Sequence, residues 1–198
     1  MIIKKFLFIC LLLLPLAIFS QPLDQGRARG MFFSLAIGPR IPVSAFANSQ
    51  SLGVGINMDI SYTDNTYLPL FVYGRIGYEH YPGSADYYRR TDYSSYTVNV
   101  VPLNAGVRFY LPPLVKDMVL IIPAVEFGGS FAIFEKSHQF KLDSGRNNFL
   151  EDNSKLGFHA GVGLSMFLIE IMGTYNYYLN NEYLSADLRV RIPVFIKL

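Results

Sequence analysis

The chain has one cysteine, Cys10, and no tryptophan in its 198 residues. Cys10 falls inside a stretch that reads as an export signal. Its removal leaves a mature chain with no disulfide and no thiol nucleophile. Charge is scarce too, at 16% of residues. Loss of residues 1–20 takes Lys4 and Lys5 and no acid, leaving 15 Lys and Arg against 15 Asp and Glu. A neutral chain carries no general signal for nucleic acid. Beyond residue 20 there is no apolar run of the roughly 18 residues that a membrane helix needs. The three histidines, His80, His138 and His159, lack metal-ligand spacing. No cofactor is expected.

The first twenty residues have the layout of a secretory signal. Lys4 and Lys5 form a basic start, and 6–14 is an unbroken apolar core too short to span a bilayer. Cleavage after Ser20 leaves Gln21 as the new N-terminus. Ile9 before Cys10 makes that cysteine a poor lipoprotein acceptor. The remaining residues suit one domain. Segment 21–30 reads as a periplasmic lead-in, and 31–198 as the domain itself.

What is present is alternation. From Leu184 the even positions run Ala186, Leu188, Val190, Ile192, Val194, Ile196. The odd positions include Ser185, Asp187, Arg189 and Arg191. A period of two puts the sets on opposite faces of a strand. The pattern recurs over 31–38, 51–63, 70–80, 96–111, 119–134, 155–167, 169–179 and 183–198. Segments 39–50, 81–95 and 135–154 read as long polar loops. The breaks at 64–69, 112–118, Leu168 and 180–181 read as short turns. Exported, apolar on one face and without a membrane helix, the chain fits an all-β fold. The expected architecture is an eight-stranded antiparallel transmembrane up-and-down β-barrel. Three prolines, Pro102, Pro123 and Pro193, fall inside strands and are expected to mark bulges. The phase of the fourth strand slips around 99–102.

The polar face is small and mixed rather than rich in Lys and Glu, so it suits the inside of a narrow barrel. A soluble lipocalin-like barrel would reverse the faces. Aromatics gather near the ends of the apolar face: Tyr62 and Phe109 at one end, Tyr78, Phe158, Tyr175 and Tyr177 at the other. Such belts mark the two membrane interfaces. The inward face carries Asp59, Arg75, Glu79, Arg108, Glu126, His159, Glu170, Asp187, Arg189 and Arg191. An eight-stranded bore is only wide enough to be filled by side chains. These charges therefore read as an internal ion-pair plug, with a narrow arginine-lined ion path as the alternative.

A nucleophilic Ser–His pair needs hydrogen-bond reach. The i±2 neighbours of His159 are Gly157 and Gly161, so no pair is visible along the strand, and an enzyme is not expected. In the second long loop Tyr87, Tyr88, Arg89, Arg90 and Tyr93 form an aromatic and basic cluster. It reads either as a contact for an anionic sugar, lipid phosphate or protein, or as a solvated loop beside lipopolysaccharide. Residues 138–154 read as polar turn chemistry.

The run Ala36-Ile37-Gly38-Pro39-Arg40-Ile41-Pro42-Val43-Ser44-Ala45-Phe46-Ala47 precedes a Gly-rich strand from Leu52. With the strand count, it resembles the first hairpin of small outer-membrane β-barrel proteins of the OmpA/OmpX-like type, over about residues 30–198. The resemblance implies the outer membrane of a Gram-negative-type envelope and a part in envelope integrity or surface adhesion. It implies as partners outer-membrane lipid and lipopolysaccharide, the barrel-assembly machinery, periplasmic chaperones and an unnamed surface ligand. A narrow pore and a lipid-modifying enzyme are the alternatives. It implies no wall tethering, because no peptidoglycan-binding segment follows. The final Leu198 also departs from the terminal aromatic usual in such barrels.

Overall fold

The computed structural model describes residues 29–64, 69–114 and 121–197. The export signal and most of the 21–30 lead-in lie outside the described residues. Eight strands are present: β1 (Arg29–Pro42), β2 (Gly53–Asp64), β3 (Leu70–Tyr81), β4 (Tyr93–Tyr110), β5 (Ile121–Phe140), β6 (Phe149–Met166), β7 (Ile169–Tyr178) and β8 (Tyr183–Lys197). Each pairs antiparallel with the next, and β8 pairs back onto β1 to close a barrel. Closure gives both edges of every strand a neighbour along the barrel wall. A spanning sheet needs this where there is no water to bond to.

The strands define two ends. Arg29 and Lys197 pair at the terminal end, which also carries the connections 65–69, 111–120 and 167–168. The loop end carries 43–52, 82–92, 141–148 and 179–182. Tight reversals use left-handed backbone at Phe167 (φ 56°) and Asn180 (φ 63°). Asn tolerates that conformation better than most residues.

Four expectations need correction. Segment 135–154 is mostly strand rather than loop: β5 runs on to Phe140 and β6 starts at Phe149. Its polar residues pair across the hairpin, as with Lys136 opposite Glu151 and His138 opposite Phe149. Pro102 and Pro123 mark no bulge. They sit opposite Ala132 and Leu164 with the register unshifted. The β3–β4 ladder breaks only where Pro102 lacks a donor, around Gly77 and Tyr78, then resumes in the same register. Pro193 does adjoin a bulge, between Met31 and Phe32 on the β1–β8 seam. The fourth strand keeps its phase, with Val98, Val100, Pro102, Asn104 and Arg108 all buried inward. The apparent slip arose because the bore is apolar at that height. Finally, β1 starts two residues earlier than expected and extends to Pro42, which carries Arg40 into the barrel.

Candidate functional site: a closed bore and a projecting sheet

The bore is filled in layers along its height. Five arginines (40, 75, 108, 189, 191) and five acids (59, 79, 126, 170, 187) are buried inside it, each at most 7% exposed. They fall into two groups. The larger lies toward the terminal end. Arg75 Nη2 donates to both Glu126 oxygens at 2.8 and 2.9 Å. Arg108 Nη2 reaches Glu126 at 2.8 Å and Asp59 at 3.0 Å. Arg189 meets Glu170 at 3.0 Å, and Arg191 lies 3.4 Å from the same carboxylate. This group holds four cations and three acids. The surplus cation is Arg191, whose guanidinium sits over the rings of Phe32 (4.0 Å), Phe71 (4.6 Å) and Tyr110 (5.0 Å). Ring faces attract a desolvated cation, so they take the charge that no carboxylate matches.

The smaller group lies nearer the loop end. Arg40 bonds Glu79 at 2.7 Å and Asp187 at 2.8 Å. Here one acid is in surplus. The Tyr81 hydroxyl donates to Glu79 at 2.8 Å, and Asn57 is buried beside Asp187. Each surplus is therefore met by a group of the right polarity, and the ten charges balance over the whole bore.

Above these charges the filling changes. Phe46, Tyr81, Val98, Val100, Ala132, Phe134, Tyr178 and Tyr183 form one buried cluster at the loop end. Phe46 arrives from outside the strands. Ser44, in left-handed backbone (φ 52°), turns the chain into a short 3-10 turn (Ser44–Asn48) that drops Phe46 against Tyr81 with ring centres 4.9 Å apart. Between the layers His159 bridges two hydroxyls. Ser130 Oγ lies 2.7 Å from its Nδ1, and the Tyr73 hydroxyl bonds its Nε2. This Ser–His pair crosses strands, which is why no spacing along the chain reveals it. His159 is 1% exposed, so the pair is walled in by the bore.

The outer wall is the opposite surface. Leu35, Ile37, Ile56, Met58, Ile60, Phe127, Val162, Ile171, Leu188 and Val190 are 45–65% exposed. A belt of this extent around a closed sheet is a lipid-facing surface. Aromatic side chains lie on the same outer face toward the loop end, with Phe158 stacked on Tyr177 at 4.8 Å.

Beyond the rim, β4, β5 and β6 continue as a sheet of their own. β3 stops pairing with β4 at Val98, and β7 stops pairing with β6 at Gly157. Residues 93–97, 133–140 and 149–156 therefore project past both neighbours. Eight residues of antiparallel strand span about 25 Å. One face of this sheet is aromatic. His138 stacks on Phe149 at 4.2 Å, Tyr93 stacks on Phe140 at 4.7 Å, and Tyr96 lies 4.9 Å from His138. Lys136 donates to Glu151 at 2.7 Å and holds that carboxyl below its usual range.

The two edges of the sheet differ. A short helix, α1 (Ala85–Arg90), covers the β4 edge. The Tyr88 hydroxyl accepts from Tyr96 N at 3.1 Å and donates to Tyr96 O at 3.3 Å, satisfying the edge backbone. Tyr87 stacks on Tyr93 at 5.5 Å, and that burial raises the pKa of the Tyr87 phenol. Arg89 and Arg90 are exposed. Among the described residues nothing pairs with the β6 edge from Phe149 to Leu156. The loop cluster thus splits: Tyr87, Tyr88 and Tyr93 pack inward and the two arginines face water. Sequence reasoning missed Arg40, Tyr73 and Tyr110 in the bore, and Lys136, Phe149 and Glu151 on the sheet. Among the described residues no cluster of His, Cys, Asp or Glu is placed to hold a metal.

The architecture is a closed, eight-stranded, antiparallel up-and-down barrel with an apolar outer belt. No protein-family model matches the chain, and no curated protein matches it. Among solved structures it is similar to Neisserial surface protein A, at 13% identity over 83% of this chain and 97% of that one, with a TM-score of 0.47. It is similar to Ail, the attachment invasion locus protein of Yersinia pestis, at 13% identity over 84% and 97%, also at 0.47. The N-terminal β-barrel domain of Pseudomonas aeruginosa OprF is similar at 14% identity over 84% and 98%, with a TM-score of 0.43.

Proposed function

We propose that this chain is a surface-interaction barrel of the outer membrane of a Gram-negative-type envelope, with its loop end outside. Its bore is plugged, and it acts through the projecting β4–β5–β6 sheet and the basic loop beside it, in adhesion or envelope integrity. One observation carries the reading: the sheet stands clear of the rim with one edge capped and the other open. Native proteins usually blunt an exposed edge, because its alternate N–H and C=O groups recruit another strand. Here the β4 edge is blunted by Tyr88 and the β6 edge is not. An extended segment of a partner can add to such an edge. Arg89 and Arg90 nearby suit anionic sugar or lipid phosphate. Outer-membrane lipid and lipopolysaccharide surround such a barrel, and assembly machinery and periplasmic chaperones deliver it.

Layers of side chains across the bore count against a pore. Burial of Ser130 and His159 counts against a lipid-modifying enzyme. The test replaces 137–150 by Asn-Gly, which joins the cross-strand partners Lys136 and Glu151 through a two-residue hairpin turn. Bacteria displaying the trimmed barrel should lose adhesion at least tenfold. The protein should still run faster unboiled than boiled on a gel. Unchanged adhesion would sink the surface role.

A further inference from the structure

The open edge of the projecting sheet carries its own charge pattern. The β7–β8 turn sits against its lower end, where Lys155 Nζ donates to Leu179 O at 2.6 Å, so the accessible stretch is 149–154. Its side chains alternate between the two faces of the sheet. Phe149, Glu151 and Asn153 lie on the aromatic face, and Leu150, Asp152 and Ser154 lie on the other. On the aromatic face Glu151 is met by Lys136 at 2.7 Å and by His138 at 3.2 Å. On the other face Asp152 stands directly opposite Glu135 across the β5–β6 ladder. Like charges so placed repel. Glu135 accepts a neutral amide hydrogen from Asn99 Nδ2 at 3.1 Å, and neither acid has an ion-pair partner among the described residues. Both are exposed, and Leu150 beside them is 66% exposed.

These acids decide what can pair with the edge. A second copy of the chain is a poor match. A two-fold antiparallel contact keeps every side chain on its own face, so it centres on a residue. Centred on Glu151 or Asp152, it sets a carboxylate against its twin. Centred on Asn153 or Ser154, it runs the copy's strand into the turn at Leu179 and Asn180. Centred nearer the tip, it leaves almost no strand in contact. Lipopolysaccharide is anionic and meets the same repulsion. What fits is a strand whose N–H and C=O groups continue the ladder and whose side chains bring positive charge.

We infer that the β6 edge takes an extended basic segment of a partner protein, with a Lys or Arg opposite Asp152 and an apolar residue opposite Leu150. A long cation opposite Asp152 also leans toward Glu135 on the next strand and relieves the acid pair. The inference rests on the surface role proposed above and adds the chemistry of its partner. The test places the barrel in phosphatidylcholine nanodiscs, which carry no net charge. Short labelled threonine–valine peptides carry lysine, glutamine or glutamate at the central position, and fluorescence anisotropy reads their binding. The lysine peptide should bind about fivefold tighter than the glutamine one, and the glutamate peptide weakest. It should slow hydrogen exchange at 149–154, and N-methylation of its alternate residues should abolish binding. Asp152→Asn should remove the preference. Asp143→Asn, which takes an exposed acid from the tip, should leave it unchanged. Equal binding of the three peptides, or of none, overturns the inference. So does lysine-peptide binding that survives N-methylation and leaves 149–154 unprotected, since charge alone would then explain it. If adhesion still falls when 137–150 is trimmed, the surface role stands without this partner chemistry; if adhesion is unchanged, the surface role fails as well.

Discussion

Between Arg191 and Arg40 the bore is filled by ten charges, while from Val100 up to Phe46 it is filled by rings and aliphatic groups. Both layers stop the same hole. The charged layer works by matching: Glu126 serves Arg75 and Arg108 closely and Arg189 at 3.7 Å. Removing one member leaves a desolvated charge with nothing to answer it. The aromatic layer works by volume, and volume can be made up by neighbours or a similar side chain. A barrel closed by charges is specified residue by residue. One closed by rings tolerates change and can also receive a group from outside the sheet, as it receives Phe46.

Glu126→Ala should sharpen this contrast most, costing about 5 kcal/mol in urea unfolding from lipid bilayers. A loss under about 1 kcal/mol would mean that water reaches the layer and screens it. Phe134→Ala should cost about 3 kcal/mol. Phe134→Leu should cost only about 1 kcal/mol, since Tyr178 packs edge-on against the same space. If Leu proves as costly as Ala, the upper layer is as exacting as the lower. Arg191→Lys should cost about 1 kcal/mol, because an ammonium cannot stack flat in a three-ring cage.

The smallest effect lies outside the barrel. Glu151 is held below the usual carboxylate range by its bond from Lys136. A depressed folded pKa gives stability that is present above the unfolded value, near pH 4.3, and lost as pH falls through the folded value. In so exposed a pair this amounts to a few tenths of a kcal/mol. Hydrogen exchange at 149–156 should therefore quicken modestly below about pH 4. Lys136→Met should remove most of that dependence, the remainder going with His138, which lies 3.2 Å from the other Glu151 oxygen; a dependence that persists in full would assign it to another group.

Strand number, closure and the facing of β2, β7 and β8 were legible because lipid on one side and a narrow bore on the other enforce strict alternation. Asp59, Arg75, Glu79, Arg108, Glu126, Asp187, Arg189 and Arg191 stood out as charges on the sparse face of such strands. Arg40 did not, since it follows Gly38 and Pro39 and reads as the start of a loop. The aromatic layer hid for a different reason. Val98, Val100, Ala132 and Phe134 point inward yet are apolar, so both faces of β4 and β5 look alike at that height. The β5–β6 extension was invisible because no lipid bounds it, and polar residues there pair across the hairpin without any apolar alternation. A shallow notch in the outer wall leaves no mark in the pattern, because Gly173 and Ala186 become neighbours only through the β7–β8 register.

Conductance of the wild-type barrel in planar bilayers tests the closed bore most directly. The account predicts no unitary steps at moderate voltage, with protein in the bilayer confirmed by its heat-shifted band. Stable, ion-selective steps would contradict it, because water and ions would then pass both the charged and the aromatic layers.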